Sequence, residues 1–146
     1  MPDGGGFDSG EDTAPIDYDV LDRLGHRLAG SERFEDVEYR PDYAPNSVVL
    51  RFDLGYFPVE VERASLQVRW YENDDFSFHY AEQWEGGDRW ECRWDRHPNT
   101  HNSRDHFHPP SDAATPGTDA SYSQDWREMV IEILDELDAH IKAFWA

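Results

Sequence analysis

From Ser47 to Asp95 apolar and polar residues alternate with a period of two, in runs separated by short turn sequences. A run of this kind buries one side of a strand and leaves the other polar, so it needs neighbouring strands and a cover for its apolar face. Val48, Leu50, Phe52 and Leu54 share one face of the first clear run, which Gly55 and Pro58 end. Val59 to Glu72 is a longer run whose phase slips, with Val59 and Val61 at odd positions and Leu66, Val68 and Trp70 at even ones. A bulge near Arg63–Ala64 reconciles the two halves. After the Asn73-Asp74-Asp75 turn, Phe76, Phe78, Tyr80 and Trp84 line one face of a strand ending at Trp84. Glu85-Gly86-Gly87-Asp88 then closes a hairpin into Arg89–Asp95, and Val37 and Tyr39 mark a short strand near the start.

Keeping aromatic residues together across that hairpin selects a three-residue loop, Gly86-Gly87-Asp88. It sets Tyr80 opposite Trp94, Trp84 opposite Trp90, His79 opposite Asp95 and Ala81 opposite Arg93, with Arg69 on the same polar face. Two segments have the helical period instead. Ile16, Val20, Leu21, Leu24 and Leu28 predict a helix over Pro15–Ala29 that Gly30 ends, and a stripe from Trp126 to Phe144 predicts one over Gln124–Phe144 capped by Ser123. Residues 111–121 are small and polar and read as a flexible connector, and residues 1–14 as a disordered acidic tail. The expectation is a single α+β domain over 15–146: an antiparallel sheet of about five strands with an N-terminal and a long C-terminal helix packed on it.

The net charge is −19, from 32 acidic and 13 basic residues, and Lys142 is the only lysine against twelve arginines. That balance resembles adaptation to a salt-rich cytoplasm, where a Debye length of about 3 Å at molar salt screens self-repulsion. It does not exclude nucleic acid as a partner. Six tryptophans, seven tyrosines and eight phenylalanines are too many for a disordered acidic chain. The single cysteine, Cys92, cannot form an internal disulfide and falls on the apolar face of its strand. No apolar run is long enough to span a membrane, and no signal-peptide pattern opens the sequence, so the cytoplasm is the expected compartment.

Titratable groups concentrate in Arg89–Pro110, which holds four of the seven histidines (His97, His101, His106 and His108) with Arg89, Arg93, Arg96 and Arg104. Imidazoles exchange protons near neutral pH and guanidinium groups are fixed cations, the two ingredients that metal-free cleavage of a phosphodiester requires. His101, His106 and His108 are therefore candidates for acid and base, Arg93 for charge stabilisation and Asp95 for orienting a histidine. Arg89, Arg96, Arg104 and His79 are candidates for holding substrate. The spacing His97-x3-His101-x4-His106-x-His108 also suits a transition metal, but no second cysteine supports one, and no cofactor is expected. A blander reading is a solvated loop whose basic groups pair with Asp95 and Asp105.

The stretch RWDRHPNTHNSRDHFHPP resembles the TumE family of toxin–antitoxin proteins. Arg93, Trp94 and Asp95 match an Arg-aromatic-Asp strand end, Pro98 and His101 match the loop after it, and His106, His108 and Pro109 match a second histidine group beside a proline. Arg96 stands where the family tends to have Asn, and Asn99-Thr100-His101 replaces a compact histidine pair. The resemblance, over roughly residues 47–145, implies a small toxin acting on RNA and paired with a DNA-binding antitoxin. A non-catalytic protein-interaction module and a histidine-rich metal-binding protein remain open alternatives.

Overall fold

The alternating runs pair in chain order. The computed structural model describes residues 14–98 and 104–146, and His101 and all but the last residue of the expected acidic tail fall outside the described residues. Seven strands form one antiparallel sheet in the order β1 (Phe34–Arg40), β2 (Ser47–Phe52), β3 (Val61–Trp70), β4 (Phe76–Trp84), β5 (Arg89–Arg96), β6 (Asp105–His108) and β7 (Thr118–Asp119). The α+β class is as expected, but the sheet has seven strands where about five were expected. Periodicity finds a strand through its apolar positions. β6 offers only Phe107, and the two-residue β7 offers none. Both fall in stretches that read as loop and connector.

The even-numbered residues of β2 to β5 make the core. Val48, Leu50, Phe52, Leu66, Val68, Trp70, Phe76, Phe78, Tyr80, Cys92 and Trp94 are buried in one cluster with Leu21, Leu24 and Leu28 of α1 (Tyr18–Ala29) and Met129, Val130, Ile133, Leu134 and Leu137 of α2 (Trp126–Ala143). Both helices therefore cover the same face of the sheet. Helix α1 is shorter than the predicted Pro15–Ala29, because Asp17 caps it by accepting from Val20 N at 3.1 Å. Residues ahead of the cap run extended beside β3, with Asp17 N donating to Trp70 O. Helix α2 is capped by Asp125 instead of Ser123, whose hydroxyl accepts from Asp125 N.

The expected phase slip in β3 is present as a register shift between Val61 and Arg63. The β4–β5 hairpin differs from the expectation. Tyr80 pairs with Cys92, Phe78 with Trp94, Glu82 with Trp90, His79 with Arg93, and Ser77 with Asp95. Gly86 and Gly87 both take positive φ, at 86° and 92°, and build a wider turn in which Trp84 N donates to Asp88 O. The slip is an even number of residues, so every side chain keeps its face while its partner changes.

Candidate active site

Two pairs of alternating residues meet on the face of the sheet away from the helices. Arg93 and Asp95 alternate on β5, with His97 following at the same period, and His106 and His108 alternate on β6. The strands pair with Asp95 opposite His106 and Arg93 opposite His108. A spacing of two on adjacent strands places all five side chains together.

Asp95 is the centre of this group and is fully buried. Its Oδ2 lies 3.2 Å from His108 Nε2, 3.6 Å from His97 Nε2 and 3.7 Å from His106 Nε2, and it accepts from Arg93 Nε at 2.7 Å. The rings of His106 and His97 meet edge to face at 4.7 Å, and those of His106 and His108 at 4.9 Å. His97, His106 and His108 are 5%, 1% and 2% exposed, so water does little to screen the group. Burial alone would push the Asp95 carboxyl up, but His108, His97 and the Arg93 charge outweigh it and hold Asp95 well below the usual carboxylate range. Burial works against the charged form of His97 as well, yet Asp95 beside it raises its pKa. His106 is lowered by burial and by the neighbouring His97 and His108.

Each imidazole is turned by a backbone carbonyl. His97 Nδ1 contacts Pro98 O at 2.9 Å, His106 Nδ1 contacts Arg104 O at 3.2 Å, and His108 Nδ1 contacts Ala114 O at 2.9 Å. A carbonyl only accepts, so each Nδ1 carries the proton and each Nε2 points inward. Ala114 belongs to the stretch expected to be a flexible connector. Instead the stretch folds back along the sheet, with Glu91 N donating to Ser111 O. Gly117, at φ 83°, passes so close that a Cβ would lie 2.7 Å from Phe107 O and 3.1 Å from His108 Nδ1.

The remaining candidates divide. His79 faces Arg93 across the hairpin and binds Glu91 at 2.7 Å, so the expected His79–Asp95 pairing is absent. Arg89 sits on the same face, against Glu91 and Gln83. Arg104 holds the buried Asp75 through Nε and Nη2, at 3.0 and 2.7 Å. Arg96 points to the helix side. It binds Asp105, Asp74 O, Tyr122 O and Ser123 O and stacks over Phe76 at 4.9 Å. It ties the start of α2 to the sheet and lies across the sheet from the histidines.

The face that carries the cluster also collects arginines. Arg40, Arg51, Arg63, Arg69, Arg89 and Arg93, half of the twelve, occupy its strand positions in β1 to β5. Four carboxylates share those positions: Asp36, Glu38, Glu91 and Asp95. Asp36 and Glu38 hold Arg51, and Glu91 holds Arg89, while Arg63 and Arg69 make no ion pair among the described residues. A groove of about 510 Å³ runs over Arg40, Arg51, Arg63 and Arg89, with Glu35 and Glu62 also on its walls. Gln67 lines the same groove, and His79 stands between it and Arg93 across the strands. Sequence reasoning missed this surface because its arginines are scattered over fifty residues and meet only through strand pairing.

The family model for Toxin TumE matches residues 21–141. The chain belongs to the TumE toxin family. No curated protein and no solved structure matches it. The matched span takes in all seven strands, most of both helices and every described residue of the cluster, so the Asp95 group lies inside the TumE domain. As a TumE-family chain it is a toxin-like component of a toxin–antitoxin system, with an antitoxin as the expected partner. No helix among the described residues is long and apolar enough to cross a membrane.

Proposed function

We propose that this TumE-family toxin cleaves RNA, holding the phosphate backbone across the open face of the sheet and cutting it beside Arg93 and the histidine cluster. The observation that supports the reading is the enrichment of arginine beside the histidines. In a chain of net charge −19, six arginines share one sheet face with the only grouped histidines of the described structure. Phosphate contacts of this kind hold a strand without reading its sequence. The adjoining imidazoles supply proton transfer.

Cleavage by the 2′-hydroxyl needs its proton removed as the oxygen attacks phosphorus. The departing 5′-oxygen must receive a proton, and cations must meet the extra charge on the phosphorane between these steps. His97, His106 and His108 are the candidates for the two proton transfers. Arg93, about one-fifth exposed at the edge of the buried group, is the candidate for charge stabilisation and the side from which a phosphate approaches. Arg69, in register with Ser77 and so one strand further from Asp95, extends the cationic track. His101 lies outside the described residues, and its expected role stays a proposal on sequence grounds. The DNA-binding character of the antitoxin, the RNA substrate and a cytoplasmic site of action are parts of the same proposal.

The test is cleavage and binding of a labelled RNA at high KCl. His108→Ala is expected to lower the cleavage rate by about 10²- to 10⁴-fold, the range for a lost acid–base group. Arg63→Glu with Arg69→Glu is expected to weaken RNA binding while leaving the fold intact. Tight binding of an antitoxin with neither cleavage nor RNA binding would replace this reading with a non-catalytic interaction module.

A further inference from the structure

We propose that Asp95, His106 and His108 hold one divalent transition-metal ion of the zinc class, with His97 beside its open coordination position. The proposal deepens the RNA-cleavage reading and rests on it only for what the metal does: with His106 and His108 as ligands, proton transfer passes from them to His97. The ligand atoms of the three residues lie within 4.8 Å of one another. Their orientation carries the argument. With each Nδ1 proton given to a backbone carbonyl, Nε2 is the ring nitrogen of His106 and of His108 that faces the carboxylate, 3.7 and 3.2 Å from Oδ2, and the one that binds a metal once its proton is gone. A cation seated among these atoms takes the place of the Nε2 protons and serves both imidazoles and the carboxylate at once.

Two atoms show that no described protein group completes the arrangement. His108 Nε2 and Asp95 Oδ1 are buried and make no hydrogen bond, although His108 Nε2 is 3.2 Å from Oδ2. Arg93 holds one position on Oδ2 and fixes the carboxylate. The backbone carbonyls beyond the imidazoles and the guanidinium beyond the carboxylate are the outer contacts that orient metal ligands and set their tautomers. The Gly117 backbone packed on His108 leaves that ring little freedom to turn away. Two imidazoles and a carboxylate favour zinc, cobalt or nickel over magnesium or calcium, which take all-oxygen shells. Three protein ligands leave a fourth position for water or a phosphoryl oxygen, the arrangement of catalytic rather than structural zinc. Arg93 and His97, with Nε and Nε2 at 2.7 and 3.6 Å from the same carboxylate oxygen, flank the ligand set. A sequence reading expects metal-free chemistry because it finds no cysteine pair. It cannot see that β5 and β6 pair and bring their alternating residues together.

The experiment strips the full chain with a chelator and titrates it with Co²⁺, with no RNA present. The expected result is one Co²⁺ per chain with visible ligand-field absorption, displaced by Zn²⁺ and unaffected by excess Mg²⁺. His106→Ala and His108→Ala should each abolish that absorption, with folding checked by circular dichroism, and His26→Ala, on the outer face of α1, should retain it. X-ray absorption of the zinc-loaded wild-type chain keeps the test independent of variant folding, and should show imidazole scattering with nitrogen and oxygen neighbours at about 2.0–2.2 Å. Absence of Co²⁺ absorption, its survival in folded His108→Ala, or a spectrum without imidazole overturns the proposal. Metal binding without RNA cleavage counts against the RNA reading alone, and cleavage by a chain that binds no metal counts against the metal alone.

Discussion

Arg96 shows how far a residue's role depends on which side of a strand it occupies. It sits one position after Asp95 and so faces the opposite way, into the helix layer. Its guanidinium reaches a carboxylate and three backbone carbonyls in different directions, which a planar five-donor group can do and an ammonium on a flexible stem cannot. Arg96→Lys is therefore expected to lower stability by at least about 2 kcal/mol, since each buried acceptor left without its donor costs ~1–3 kcal/mol. Arg69→Lys, on the open face, should cost little. Urea midpoints of the two variants check this, and equal midpoints would mean that Arg96 is not the clamp described.

At the scale of elements, α2 is fixed to the sheet by a polar pin as well as by its apolar stripe. Glu82 is buried and accepts from Tyr80 OH at 2.6 Å and Trp84 Nε1 at 2.9 Å, and it lies 2.6 Å from His140 Nε2 on α2. The His140 ring stacks on Trp90 at 4.1 Å. An acid on the core face of β4 breaks the alternation that defines the strand. It is tolerated because three donors surround it. Glu82→Ala would leave the Tyr80 hydroxyl and the Trp84 and His140 ring nitrogens without their acceptor. The expected loss is about 3 kcal/mol, judged from the ~1–3 kcal/mol for each buried group left unsatisfied. Glu132→Ala, on the exposed side of α2, should stay within about 0.5 kcal/mol of wild type. Thermal unfolding compares the two, and a Glu82→Ala melting curve that overlays wild type would remove the pin from the account.

Over the whole molecule the two faces differ in their balance of charge. Glu128, Glu132, Asp135 and Glu136 are exposed on α2, while the open sheet face collects arginines. The net charge of −19 leaves repulsion on the helix side that salt relieves, because the Debye length falls from about 10 Å at 0.1 M to about 3 Å at 1 M. The melting temperature should therefore rise as KCl goes from about 0.1 M to about 2 M. A flat profile across that range would show that this charge distribution does not limit stability.

The sequence by itself determined the α+β class, the two helices, and the strands from β1 to β5 with the face taken by their apolar residues, though Leu54 and Val59 fall just outside the strands expected for them. Those properties follow from local period and turn chemistry. It also pointed to Asp95, His106 and His108, because titratable residues were gathered in one short stretch. Tertiary structure decided what periodicity does not encode. The turn at Gly86 and Gly87 fixed the hairpin register and gave Asp95 a Ser77 partner in place of His79. Pairing of β5 with β6 turned a presumed loop into a strand and brought three imidazoles to one carboxylate. The stretch after β6 folded back to supply the carbonyl that orients His108. The arginine face exists only because residues scattered over fifty positions share one side of a sheet. The reason is common to all four. Local sequence specifies which side of a strand a residue takes, whereas the neighbour it meets there depends on registers and returns set by contacts between distant parts of the chain.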